Sequence, residues 1–261
     1  MIPLLCALFF LSGVAGLLFE SLWFRQAGLA FGNSVWASSL VLSSFMAGLA
    51  LGNGLAARFG ARLRSPLRAY AALELCIALL GAALVLRLPW LAAGFDSLLG
   101  AVQDVPVALN ALRVSLAFVL LLIPATAMGA TLPVMVAALR ARDPSFGGAL
   151  GRLYGWNTLG AVVGALAGEV ALLEWVGVYG GAGVAAGCNA AAAAGALAIA
   201  GRFSARPPDA SAPRPRTSGG ARVLVAAFLA GGLVLALEVV WFRFLHLFVH
   251  SGSAAFAWML A

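Results

Sequence analysis

The sequence contains no lysine, and charged residues of every kind fill only 10% of its 261 positions. Soluble domains carry about a quarter, so a chain wrapped entirely in a water-facing surface is excluded. Acids number nine and histidines two. Cysteine occurs three times, at Cys6, Cys76 and Cys188, each alone in an apolar run. Isolated thiols with no CxxC spacing build neither a zinc site nor a disulfide framework. Glycine-rich nucleotide loops, Walker sequences, nucleophile elbows and HExxH are all missing, so no catalytic residue, metal or cofactor is assigned within this chain.

What the chain has is hydrocarbon, with 63% of its residues hydrophobic. A bilayer core roughly 30 Å thick needs about 20 apolar residues per helix, and such runs recur throughout. The expected fold is an all-α integral membrane protein of about seven to eight spans. They are read at 3–30, 34–57, 67–88, 106–139, 150–174, 179–201 and 222–249, with an eighth beginning near Ser251. The opening MIPLLCALFF has no basic n-region and stays apolar beyond a normal signal sequence, so it reads as a retained first span. Residues 89–105 place Trp90, Phe95, Leu98, Leu99 and Val102 near helical spacing and predict a helix lying in the interface. Residues 202–221, rich in Pro, Ser and Arg, read as a linker.

The net charge of +7 raises the question of nucleic acid. The arginines nevertheless fall in short loops, where they serve topology and lipid headgroups instead. Arg58, Arg62, Arg64 and Arg68 follow the second span, Arg140, Arg142 and Arg152 the fourth, and Arg202 to Arg222 surround the linker. The intervening loops carry Asp96, Asp104 and Glu174. The positive-inside rule places the N-terminus and the linker in the cytoplasm.

After the linker the sequence begins again. A shift of 218 residues aligns FESLWFR (19–25) with LEVVWFR (237–243), matching Glu20, Trp23, Phe24 and Arg25 to Glu238, Trp241, Phe242 and Arg243. The organisation is therefore a six-helix bundle over 1–201, a linker over 202–221 and the start of a second, repeated bundle over 222–261. Nothing polar closes the run that reaches Ala261, so a longer polypeptide is expected. Six spans, a cytoplasmic linker and a parallel copy match the two-halves plan of major-facilitator-like transporters.

A carboxylate in hydrocarbon costs several kcal/mol unless it faces the bundle, is paired or is protonated. Glu20 lies about 25 Å along the first span, in the outer third. Arg113 and Glu169 fall at the same depth, which predicts a cluster of Glu20, Arg113 and Glu169. It is either a structural clamp or the wall of an outward-facing polar site. Arg25 suits a snorkelling position and Trp23 the aromatic belt. Glu74, toward the cytoplasm, is a separate candidate; Asn157, Glu238 and Arg243 complete the candidate polar residues.

IPATAMGATLP, with Pro124, Gly129 and Pro133, predicts a broken or kinked fourth span whose freed carbonyls Thr126 and Thr131 can satisfy. Gly160, Gly164 and Gly168 share one helical face, and Gly48 and Gly52 another, at the spacing that lets helices approach closely. The alanine-rich GCNAAAAAGALAIAG reads the same way. Tyr154, Trp156 and Thr158 suit an interfacial anchor or a contact with a cytosolic partner. His246 and His250, four apart, share a face, but no third ligand accompanies them.

Several segments resemble one family. LSGVAGLLFESLWFR, FGNSVWASSLVLSSFMAGLALGN, PLRAYAALEL, IPATAMGATLP and GRLYGWNTLGAVVGALAGE are similar, in this order, to the membrane region of fused, membrane-bound spermidine synthase-like proteins. GNGLAARFGAR resembles the loop between spans two and three of major-facilitator transporters, with Ala57 where those carry aspartate. The family resemblance implies a bacterial inner-membrane protein anchoring a cytosolic aminopropyltransferase-like domain of the same polypeptide, a transferase of polyamine biosynthesis. It also implies a polyamine or related amine as a solute to move or sense. The alternatives are a stand-alone secondary transporter of a small solute and a purely structural membrane anchor.

Overall fold

The computed structural model describes residues 2–31, 35–98, 106–140, 146–201, 220–245, 247–249, 255 and 257–259. They form helices α1 (Ile2–Phe31), α2 (Val35–Phe59), α3 (Pro66–Leu98), α4 (Pro106–Arg140) and α5 (Phe146–Ala167). Helix α5 runs on through a π-helical turn, Gly168–Leu172, and a last α-helical turn, Leu173–Trp175; α6 (Gly177–Ala200) and α7 (Gly220–Leu245) follow. Among the described residues there is no strand, and seven helices are long and apolar enough to cross a membrane. Residues 202–219 of the expected linker and the start of the eighth span, at Ser251, lie outside the described residues, while Gly220 and Ala221 already belong to α7.

Three expectations about these elements are corrected. Residues 89–98 are not a separate interface helix but the end of α3. Pro89 forfeits only its own N–H bond there, and no capping residue precedes it to stop the helix. Helix α4 is not broken either: it carries Pro124 and Pro133 within 35 continuous residues. Thr126 Oγ1 donates to the Leu122 carbonyl at 2.7 Å and Thr131 Oγ1 to that of Met128 at 2.7 Å. These are not the carbonyls of Leu120 and Gly129, which the prolines leave without their usual donor. The seventh span ends at Leu245 in a tight turn, with the Leu247 N–H on the Phe244 carbonyl at 3.1 Å, and does not continue to 249.

Lipid tails are as apolar as leucine, so a membrane bundle is held by close packing and hydrogen bonds more than by the hydrophobic effect. Glycine makes that packing possible twice. Helices α1 and α5 run parallel, and a Cβ on Gly13, Gly160 or Gly164 would strike the carbonyl of Asn157, Phe10 or Val14. Helices α2 and α4 run parallel too, with Gly52 under the Thr126 carbonyl and Gly129 under that of Leu49. Contacts this close suit Cα–H···O bonds, worth about 0.5–1 kcal/mol each.

The remaining contacts extend this correspondence. Besides these two pairs, α1 packs on α6, α4 packs on α3, and α3 packs on α6. Exchanging α1 with α4, α2 with α5 and α3 with α6 carries each of these pairs onto another or onto itself. The exchange does not extend to α1 on α3, which has no comparable α4–α6 contact among the described residues.

Helix α1 is the hub. It lies parallel to α3, and its side chains reach α3 backbone: Trp23 Nε1 donates to the Gly81 carbonyl at 3.3 Å and Gln26 Nε2 to that of Val85 at 3.1 Å. Trp23 is 0% exposed and stacks on Phe19 at 5.7 Å between centroids. It is a core residue and not part of an aromatic belt. Gly81 explains the difference: Phe19 ring carbons come within 2.8 Å of where its Cβ would stand, so only glycine admits the rings. Helix α7 is exposed along most of its length and meets the other helices near its C-terminal end, through Phe242.

Candidate functional site

The two copies of Glu-x-x-Trp-Phe-Arg meet in space. Phe24 on α1 and Phe242 on α7 touch edge to face, with centroids 5.5 Å apart. One turn earlier, Glu20 and Glu238 lie within electrostatic range of each other. Both pairs are related by the 218-residue shift that aligns the sequences. These two interactions join equivalent positions of α1 and α7, and α7 also packs on α2. Each acid lies about 27 Å from the start of its helix at 1.5 Å per residue, so the two are at one depth.

Glu20 is 1% exposed, and its Oε1 has no hydrogen-bond partner; Glu238 is half-buried, and its Oε2 has none. Like charges within range of each other in an apolar surround disfavour the state in which both are ionised. A proton on one of the acids, or a cation near both, relieves that repulsion.

A second polar zone crosses the middle of the bundle. Two apolar clusters fill the core. One holds Ala15, Phe19, Ile77, Ala125 and Ala185, the other Phe9, Ala71, Val134, Leu153 and Ala193. Between them in sequence on each helix stand Ser12, Glu74, Thr131, Asn157 and Asn189. Each lies about 12–17 Å from the same end of the bundle at 1.5 Å per residue. Ser12 Oγ donates to Glu74 Oε1 at 2.6 Å, and Asn157 Nδ2 to the Phe9 carbonyl at 2.9 Å. Tyr70, one turn before Glu74, lies beside it and donates its hydroxyl to the Leu8 carbonyl at 3.3 Å.

The sequence candidates thus separate into two groups. Glu20 and Glu238 come together at one depth, while Glu74 and Asn157 belong to the midplane layer. Glu169 sits half-buried on the π-helical turn, and Arg25 is exposed on α1; both have partners in the structure. Arg243 is exposed on α7. The side chain of Arg113, and with it the expected cluster with Glu20 and Glu169, lies outside the described residues, as do His246 and His250.

Sequence reasoning missed Asn189. It is 1% exposed, and neither its Nδ2 nor its Oδ1 has a partner. The available signal was a single amide inside GCNAAAAAGALAIAG, a run read as packing alone. Ser12 was missed because a serine in a span is unremarkable until its partner is known. The sequence matches no protein-family model, no curated protein and no solved structure.

Proposed function

We propose that Glu20 and Glu238 form a cation-holding site between two related membrane helices, and that the chain carries or senses a small organic cation. The supporting observation is the meeting of the repeated motif through Phe24 and Phe242, which brings the two acids within electrostatic range of each other. A protonated amine suits such a site: it neutralises both carboxylates and offers several N–H donors to their free oxygens. A polyamine is the solute expected from the resemblance to spermidine synthase-like fusion proteins. On that reading the chain also anchors a cytosolic aminopropyltransferase-like domain in a bacterial inner membrane, with its N-terminus in the cytoplasm.

The test is binding of radiolabelled spermidine to the purified protein in nanodiscs. A hydrogen bond to a charged group is worth about 1.5–3 kcal/mol, so Glu20→Gln and Glu238→Gln should each weaken binding roughly 10- to 150-fold. Equal affinity in wild type and both variants removes the two acids from any substrate role.

A second reading is a stand-alone secondary transporter of major-facilitator-like design. The matching glycine seams of α1 with α5 and α2 with α4 favour it, because many carriers are built from repeated helical units. Spermidine uptake into liposomes holding only this chain supports transport, and binding without uptake supports the anchor-and-sensor reading.

A further inference from the structure

The midplane layer contains a titratable group that the Glu20–Glu238 reading does not use. Glu74 is 0% exposed, its Oε1 accepts from Ser12, and its Oε2 has no partner. Asn189 on α6 adds an amide with an unpartnered donor and an unpartnered acceptor. The contacts set its height. Helix α6 runs antiparallel to α1, with Gly195 against Leu8 and Gly181 against Leu22. Asn189 therefore stands level with Val14, a few ångströms along α1 from Ser12. Its neighbours along the same stripe, Ala185 and Ala193, belong to the same core clusters as Ile77 and as Tyr70 and Ala71, which flank Glu74 on α3, and α3 packs on α6.

We propose that Glu74, Ser12 and Asn189 form a proton-binding site at the centre of the six-helix bundle. On protonation Glu74 Oε2 takes a proton that originates in bulk water, forming one O–H bond and turning the carboxylate into a neutral acid; release returns it to water. Each state has its partner in the layer. The neutral acid needs an acceptor for its O–H, which the Asn189 carbonyl oxygen supplies, and the carboxylate needs a second donor, which the Asn189 amide nitrogen supplies after rotating about its last torsion. The Ser12 hydroxyl donates to Oε1 in either state.

The chemistry of the set favours a proton over a metal ion. A hard cation takes six or more oxygen ligands, whereas this set offers one carboxylate, one hydroxyl and one amide oxygen. The surroundings add no countercharge at this height. On α1 the titratable groups nearest Ser12 are Cys6 below and Glu20 two turns above, with Arg25 beyond. On α6 Cys188 adjoins Asn189, and Tyr179 lies near the far end. On α4 no titratable residue falls between Arg113 and Arg140; on α3 Tyr70 lies one turn before Glu74 and Cys76 two residues after it; and on α5, which packs on α1, Arg152 and Tyr154 precede Asn157 and are exposed. This site is separate in depth from Glu20 and Glu238, so it stands or falls independently of the amine reading.

The test is infrared difference spectroscopy of the full chain reconstituted in lipid, titrated with acid in H2O and D2O. A carboxylic-acid C=O band that appears on acidification, shifts in D2O, is lost in Glu74→Gln and is retained in the Glu20→Gln/Glu238→Gln double variant supports the site. In Ser12→Ala and Asn189→Ala the band's titration midpoint should move by roughly one pH unit or more, the weight of one hydrogen bond to a charged group. These two variants keep the test decisive if Glu74→Gln does not fold. A band indifferent to Glu74→Gln, or a midpoint unmoved by both Ser12→Ala and Asn189→Ala, overturns the proposal.

Discussion

Glycine at position 164 offers a measurement whose sign depends on the packing of α1 against α5. A Cβ built there meets the Val14 carbonyl, with the carbonyl carbon 2.9 Å away. Ordinary contact begins near 3.4 Å, and both atoms belong to helical backbone, so neither can rotate aside. Gly164→Ala must push the helices apart by several tenths of an ångström along a shared seam. Overpacking of this kind costs about 1–3 kcal/mol. Alanine also gains about 1 kcal/mol of helix propensity, which would blur the result. Gly16 supplies the control: it is helical too, but nothing lies within 4 Å of its built Cβ. The difference between Gly164→Ala and Gly16→Ala cancels the propensity gain and leaves the clash, a 5- to 150-fold difference in unfolding equilibrium. Reversible unfolding of both variants in mixed detergent–lipid micelles measures it. Equal stabilities, or a Gly164→Ala variant as stabilised as Gly16→Ala, would refute a close backbone approach at this seam.

Three further outcomes follow from the same contacts. A double-mutant cycle on Phe24→Leu and Phe242→Leu should give a coupling of about 0.5–1.5 kcal/mol, the usual worth of an edge-to-face pair; zero coupling would mean α7 does not dock on α1. Trp23→Phe deletes the donor to the Gly81 carbonyl and should cost about 0.5–1.5 kcal/mol in micelle unfolding, with no change in lipid dependence because the ring is internal. Gly52→Leu should fail to give a folded, monodisperse protein, since its side chain would have to enter the α4 backbone at Thr126; normal size-exclusion behaviour would contradict that.

Much of the fold was legible because hydrocarbon thickness fixes span length, and the seven apolar runs could be little else. The glycine faces were legible for a similar reason, since a four-residue spacing of small side chains has one main use in lipid. The misreadings have a common cause. Proline weakens a helix locally, yet the cost is small beside a long stretch of intact bonds, so Pro89, Pro124 and Pro133 interrupted nothing. Trp23 looked interfacial because depth alone was considered, and its burial depends on Gly81, 58 residues away. The pairing of Glu20 with Glu238 was half visible: the repeat announced equivalent residues, but not that equivalent positions would face each other. Asn189 and Ser12 were invisible because a buried polar layer appears only when five helices are brought to one height.

The most direct measurement of the central claim is disulfide formation between the two motif copies. With Cys6, Cys76 and Cys188 replaced by alanine, Glu20→Cys/Glu238→Cys should cross-link readily within one chain in membranes under mild oxidation. Phe10→Cys/Phe228→Cys obeys the same sequence shift but should not, because Phe10 packs on Trp156 and Phe228 is 80% exposed. Cross-linking of the second pair as fast as the first, or of neither, would contradict the account that the repeated acids stand face to face.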